Sequence, residues 1–184
     1  MKFVPTPIAG AFVVETDILS DERGSFMRLY CAGEQKAQTG FDKPVAQANR
    51  SVTTQKGSVR GLHYQRAPAL ESKMVRCTRG RVFDVAVDLR AGSKTFLKHF
   101  SVELDAAKGN ALLIPEGCAH GFQTLEDDCE MIYLHTAPYA KEHEGGLAHD
   151  DPALGIVWPL PVTMISARDR AFPPLDGSFK GFPA

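Results

Sequence analysis

The run Arg60-Gly61-Leu62-His63-Tyr64-Gln65 gathers a permanent cation, a glycine, an imidazole, a phenol and an amide within six residues. Each polar group costs free energy if buried without a partner, so folding alone is a poor reason to cluster them. Lining a cavity is a better one, because the set suits an anionic or carbonyl-bearing ligand held beside a base. A second run, Ile114-Pro115-Glu116-Gly117-Cys118-Ala119-His120-Gly121-Phe122, has the form of strand, turn and strand. Pro115 presets φ for the turn and Gly117 relieves a strained position. His120 then enters the following strand, where it can project into a barrel mouth.

Other candidates for the same site are Gln47, Asn49, Lys73, Tyr133, Tyr139 and Asp169. Strand parity supports parts of this group. Gln47 and Asn49 share a face, as do His63 and Gln65, and Tyr133 shares its face with Met131 and His135. Arg60 and His63 have opposite parity in an unbroken strand. Both reach one pocket only if Gly61 allows a bulge or twist; otherwise Arg60 serves another surface.

The elements that must position these residues are short extended segments separated by turns. In Arg81–Leu89, Phe83, Val85, Val87 and Leu89 share one face, and Asp84 and Asp88 share the other with Val82 and Ala86. Further strands are predicted at Ala11–Thr16, Gly24–Leu29, Val45–Val52, Ser58–Gln65, Lys73–Cys77, Thr95–Leu104, Ala111–Ile114, His120–Leu125 and Glu130–His135. So many short strands at even spacing predict an all-β antiparallel sandwich or barrel. A short helix is expected at Glu34–Thr39 and a turn at Ala106–Asn110. The tail from Pro138 to Ala184, rich in Pro and Gly, is expected to wrap the core as loops and short helices. No linker or internal repeat divides the chain, so residues 1–184 read as one domain.

Composition narrows the function. A chain of 184 residues can bury roughly 70% of its unfolded surface. A formal charge of −1 gives no general attraction for nucleic acid or acidic membranes. No segment approaches the roughly 20 apolar residues that span a bilayer. The opening residues lack a signal-type apolar stretch, which makes a cytoplasmic location the expectation. Cys31, Cys77, Cys118 and Cys129 form no CxxC pair, so reduced structural thiols are expected rather than a zinc cluster. Cys118 has no convincing base beside it to make it a nucleophile. A mixed site of His63, His120 and a glutamate could hold metal, but metal-free proton transfer, with no cofactor, fits the residues better.

Several segments together carry a family resemblance. They are Asp21-Glu22-Arg23-Gly24-Ser25-Phe26, Gln47-Ala48-Asn49-Arg50-Ser51, Gly57 through Gln65, Val82 through Arg90 and Ile114 through Phe122. The tail adds Asp150-Asp151-Pro152, Ile156-Val157-Trp158-Pro159 and Ser166-Ala167-Arg168-Asp169. In these the chain resembles the cupin-fold family of nucleotide-sugar 3,5-epimerases, typified by enzymes acting on dTDP-linked 4-keto-6-deoxyhexoses. The resemblance implies a cupin-type jelly-roll barrel with short peripheral helices and an extended C-terminal tail. It implies His63 as general base, Asp169 as its orienting carboxylate, Tyr133 as the opposing proton donor and Lys73 as the stabiliser of oxyanion character near C4. Arg23 and Arg60 would address the diphosphate, with Phe26, Gln47, Asn49, His120, Tyr139, Glu144 and Trp158 around the substrate. The family's homodimeric assembly would bring Arg23 into the neighbouring subunit's pocket.

Those roles agree with elementary chemistry. A C4 ketone acidifies the hydrogens at C3 and C5, because deprotonation spreads charge onto oxygen. A neutral imidazole can take such a proton, and an ammonium stabilises the enolate more than the ketone. No redox cofactor is required. The same first step also serves a single-centre epimerase or a 3,4-ketoisomerase, and a non-catalytic sugar-nucleotide-binding cupin is a further alternative. Two residues depart from the family pattern: Arg28 stands where an acidic residue is common, and His149 where an aromatic one is. Both bear on nucleotide and sugar recognition and leave the proton-transfer set intact.

Overall fold

A computed structural model describes residues 1–183. Its strands, in chain order, are β1 (Lys2–Pro5), β2 (Phe12–Glu15), β3 (Ile18–Asp21), β4 (Gly24–Met27), β5 (Gln47–Thr53), β6 (Ser58–Gln65), β7 (Lys73–Arg79), β8 (Arg81–Asp88), β9 (His99–Asp105), β10 (Ala111–Ile114), β11 (Cys118–Thr124), β12 (Cys129–His135), β13 (Glu144–Gly146) and β14 (Met164–Ile165). Among the described residues helix is confined to α1 (Ala32–Thr39), α2 (Ala167–Arg170) and a 3-10 turn at Lys141–His143. None of these helices is long and apolar enough to cross a membrane.

The strands pair into two main sheets, ordered β1-β2-β10-β7-β12-β5 and β13-β6-β11-β8-β9, with β14 added parallel to β6. Their inner faces share one core. Val75, Cys77, Leu112, Ile114 and Met131 come from the first sheet, and Val82, Ala86, Leu104 and Phe122 from the second. Complete burial of a side chain such as Leu112 or Met131 contributes about 1.5–3 kcal/mol before the entropy of ordering is subtracted. This is the two-sheet, cupin-type jelly roll expected from the strand pattern and the family resemblance.

In β8 the expected parity holds, but the face bearing Asp84 is the inner one. Val82 and Ala86 join the core between the sheets, whereas Phe83, Val85 and Val87 lie on the outer face. That outer face is covered by Leu147, Leu154, Trp158, Phe179 and Phe182 of the tail, which wraps the core as expected. With both faces covered, β8 can be apolar on each side.

Some boundaries differ from the sequence expectation. The strand predicted from Thr95 starts at His99, because Asp88 organises the preceding residues into a turn. Its carboxylate accepts from Arg90 Nη2 at 2.8 Å, Ser93 Oγ at 2.6 Å and Thr95 Oγ1 at 2.7 Å. Strands β1, β3, β13 and β14, of two to four residues, lie outside the segments expected from the sequence.

The irregularity in β6 resolves the parity conflict. Against β11, His63 pairs with His120 while Arg60 pairs with Phe122, so three steps on β6 match two on its partner. That is a β-bulge, and it turns Arg60 and His63 toward the same side. Gly61 occupies it at φ +116°, a conformation that favours glycine. A Cβ at Gly61 would also lie 2.6 Å from Gly121 Cα.

Candidate active site

The sheet registers bring the polar residues together. In the first sheet, His135 on β12 stands between Lys73 on β7 and Gln47 on β5, and Tyr133 stands opposite Asn49. In the second, His63 and His120 are direct partners. Between the sheets opens a cavity of about 1040 Å³, large enough for a nucleotide-sized ligand. Its lining includes His63, Asp169, Tyr133 and Lys73, and also Gln47, Asn49, Arg60, His120, Tyr139 and Glu144. Lys73 is therefore no solvated edge residue: it is buried on an interior strand.

Asp169 reaches His63 through the tail. Pairing of β14 with β6 carries the chain to Ser166, whose Oγ caps α2 by accepting from Asp169 N–H at 3.0 Å. The Asp169 carboxylate then faces β6, with Oδ1 2.8 Å from His63 Nε2 and Oδ2 accepting from Gly61 N–H at 3.1 Å. Burial acts to raise the pKa of this carboxyl. The hydrogen bonds from His63 and Gly61 and the charge of Arg168 outweigh that and hold it well below the usual carboxylate range. A proton on His63 Nε2 is donated to the ionised Asp169 and leaves the ring's lone pair on Nδ1, whereas the Arg168 guanidinium, 2.9 Å from the same nitrogen, can only donate and competes with that tautomer.

His120 is held by Asp84, with Nε2 2.8 Å from Oδ1, and both residues are buried. Tyr133 Oη lies 3.2 Å from Ser51 Oγ. Burial pushes the Tyr133 phenol upward, reinforced by Asp84 and only partly offset by the Ser51 hydrogen bond. Arg60 donates to Thr53 Oγ1 at 2.8 Å and to the Val52 carbonyl at 3.0 Å. Glu144 accepts from Tyr139 Oη at 2.9 Å and from Arg168 Nη1 at 3.0 Å. Burial pushes the Cys118 thiol up to about 12, in keeping with an inert structural cysteine.

Three predicted residues lie elsewhere. Trp158 is not in the cavity lining: its indole N–H donates to the His149 carbonyl at 2.9 Å, and its ring packs edge-on against Phe83 beneath the tail. Arg23 and Phe26 sit on the β3–β4 hairpin, also outside the cavity of their own chain. Arg23 pairs there with Asp21, Nη2 to Oδ2 at 2.5 Å. Arg28 pairs with Glu34.

Arg168, His135 and Glu71 also line the cavity, although the sequence marks none of them as a site candidate. Arg168 lies 2.9 Å from His63 Nε2 through Nη2, and its adjacency to Asp169 was the available signal. His135 shares the parity of Tyr133. Glu71 precedes β7 in a loop, where no period marks it. Its carboxylate lies 2.9 Å from Lys73 Nζ and 2.7 Å from His135 Nδ1.

Burial alone would raise the Glu71 pKa, but the His135 hydrogen bond and the Lys73 charge bring it down to about 2. A folded value below the unfolded one means stability that is present above about 4.5 and lost as pH falls toward 2. Relative to Glu71→Gln, the parent chain is expected to lose up to about 3 kcal/mol across that window. Urea-unfolding midpoints measured between these pH values check this, and parallel curves for the two proteins would contradict it.

A jelly roll that sets an imidazole–carboxylate pair, an ammonium and a phenol around one cavity defines an isomerase of the proton-transferring class. The chain belongs to the dTDP-4-dehydrorhamnose 3,5-epimerase family, whose model matches residues 5–177. It is 43% identical to the dTDP-4-dehydrorhamnose 3,5-epimerase of Sinorhizobium fredii, over 95% of this chain and 90% of that one. It is also 40% identical to a dTDP-4-dehydro-6-deoxyglucose 3-epimerase from a Streptomyces species, over 93% and 87% of the two chains. Among solved structures it resembles the dTDP-6-deoxy-D-glucose-3,5-epimerase of Legionella pneumophila in complex with dTDP-4-keto-L-rhamnose. The TM-score is 0.88 at 37% identity, covering 93% of this chain and 90% of that one.

Proposed function

We propose that this chain epimerises C3 and C5 of dTDP-4-dehydro-6-deoxyglucose to give dTDP-4-dehydrorhamnose. The observation that carries the reading is the placement of base and acid on opposite sheets: His63 projects from β6 and Tyr133 from β12 into one cavity. Facing sheets pack about 10 Å apart, which leaves room for a sugar ring between the two side chains. His63, oriented by Asp169, takes the proton from carbon beside the C4 ketone. Lys73 stabilises the enolate oxygen, and Tyr133 returns a proton to the other face, inverting the centre. Gln47, Asn49, Arg60, His120, Tyr139 and Glu144 hold the substrate, with Arg60 toward the diphosphate.

The test is NMR of dTDP-4-dehydro-6-deoxyglucose incubated with the protein in D2O. Deuterium is expected at C3 and C5, with inversion at both; no exchange at either centre across dTDP-, CDP- and GDP-linked 4-keto sugars would defeat the reading. The 40% identity to a 3-epimerase favours one second reading, inversion at C3 alone. The same spectra separate the two. A 3-keto product without inversion would instead indicate a ketoisomerase.

The reading includes a homodimer in which Arg23 enters the partner's cavity and joins the diphosphate site. The β3–β4 hairpin leaves Leu19 and Phe26 65% and 70% exposed, and β5 ends its sheet on an open edge, features that a second copy would cover. Mixing inactive Arg23→Ala and His63→Ala chains then tests the crossing directly. Each mixed dimer has one intact site, so reassortment is expected to restore roughly a quarter of parental activity. No recovery from demonstrably mixed dimers would place Arg23's action within its own subunit.

A further inference from the structure

A hydrogen-bonded chain runs along the cavity wall from Tyr139 to Lys73, and one donor sets its direction. The backbone N–H of Tyr139 donates to Gln47 Oε1 at 2.9 Å. Because a backbone N–H can only donate, the oxygen end of the Gln47 amide is assigned. Its Nε2 then donates to Asn49 Oδ1 at 3.2 Å, which leaves Asn49 Nδ2 facing His135 Nε2 at 3.4 Å. An amide nitrogen donates and does not accept, so Nε2 of His135 must accept and the ring proton lies on Nδ1. That proton is donated to Glu71 Oε2 at 2.7 Å, and Lys73 Nζ meets the other oxygen, Oε1, at 2.9 Å.

We infer that His135 and Glu71 are positioning residues that couple the two halves of the site. Through Nε2, His135 holds the amides of Asn49 and Gln47 in one orientation, with N–H groups left over for oxygens of the ligand. Through Nδ1 it holds Glu71, and Glu71 holds the Lys73 ammonium. The imidazole is suited to this work because its two nitrogens act oppositely, one donating and one accepting. The neighbouring Tyr133 ring stacks on it, with centroids 6.0 Å apart and planes within 16°. The kinetic half of the inference rests on the epimerase reading; the tautomer does not.

The experiment combines 15N NMR of the His135 ring with three substitutions. In the parent at neutral pH, the proton is expected on Nδ1, with Nε2 unprotonated. His135→Phe keeps the stacking area and removes both nitrogens, and is expected to lower kcat and raise KM, each roughly three- to tenfold. His135→Asn places a donor where Nδ1 stood and should restore kcat but not KM. His135→Gln places an acceptor where Nε2 stood and should restore KM but not kcat. Thermal unfolding is recorded for each variant, and if the Phe variant does not fold, the Asn and Gln variants decide. A proton on Nε2, or matching kinetics in the Asn and Gln variants, overturns the inference. Should the parent turn over no 4-keto sugar, the epimerase reading fails by itself. The ring tautomer and the affinity for dTDP-glucose then decide the inference: binding weakened in Phe and Asn but not in Gln supports it, and equal binding in all three overturns it.

Discussion

Replacing His63 by alanine is expected to reduce turnover of dTDP-4-dehydro-6-deoxyglucose by about 10²–10⁴-fold, the range a positioned general base supplies. Deuterium uptake from D2O at both C3 and C5 should fall with it, since both begin with the same abstraction. Affinity for a non-reacting dTDP-sugar is expected to stay within a few-fold, because the diphosphate and sugar contacts lie on other side chains. The imidazole leaves no polar group without recourse: Asp169 keeps its hydrogen bond from Gly61 N–H and its contact with Arg168 Nε at 3.2 Å. Thermal unfolding near the parental midpoint would show that the loss is chemical. Exchange at the parental rate in a folded His63→Ala protein would remove His63 from the mechanism, and a parent that binds but never exchanges would make the protein a non-catalytic sugar-nucleotide binder.

Tyr133→Phe is expected to separate exchange from inversion. The phenol is held above its ordinary pKa, so it keeps its proton throughout the neutral range and stands ready to donate. Removing only the hydroxyl leaves the His63 side intact, and its imidazolium can still return a deuteron to the face from which it came. Inverted product should therefore fall about 10²-fold or more, while washout with retention persists. The ring continues to pack against His120 and His135, with centroid separations of 6.1 and 6.0 Å, so the fold is expected to hold. Inversion continuing at the parental rate would mean that water or another group delivers the second proton. Loss of exchange and inversion together would mean that Tyr133 acts in the first abstraction.

Much of this site could be read along the chain because a strand alternates with period two. Parity alone put Gln47 with Asn49 and Tyr133 with His135, and the structure keeps those pairs on one side. The density of polar groups in Arg60–Gln65 marked a cavity wall, and it is one. What parity leaves open is which face of a strand becomes the interior. In β8 the face bearing Asp84 turned inward, because the tail supplied a second apolar layer for the other face and Asp84 found His120 as its partner.

Trp158 shows the limit from the other side. An aromatic residue in a Pro- and Gly-rich tail has no period to place it, and its indole N–H found a carbonyl partner within the tail, at His149, instead of a ligand.

The sequence by itself determined the alphabet of the site and the sidedness of its strands: an imidazole and a phenol on separate segments, an ammonium between them, and a glycine where a strand could bulge. These are local properties of composition and alternation. Only the tertiary structure decided that His63 and Tyr133 line one cavity from different sheets, that Arg60 shares the side of His63, and that Glu71 joins Lys73 to His135. Those relations depend on register between segments tens of residues apart, and register is set by which faces can be buried together, a condition the whole chain must satisfy at once.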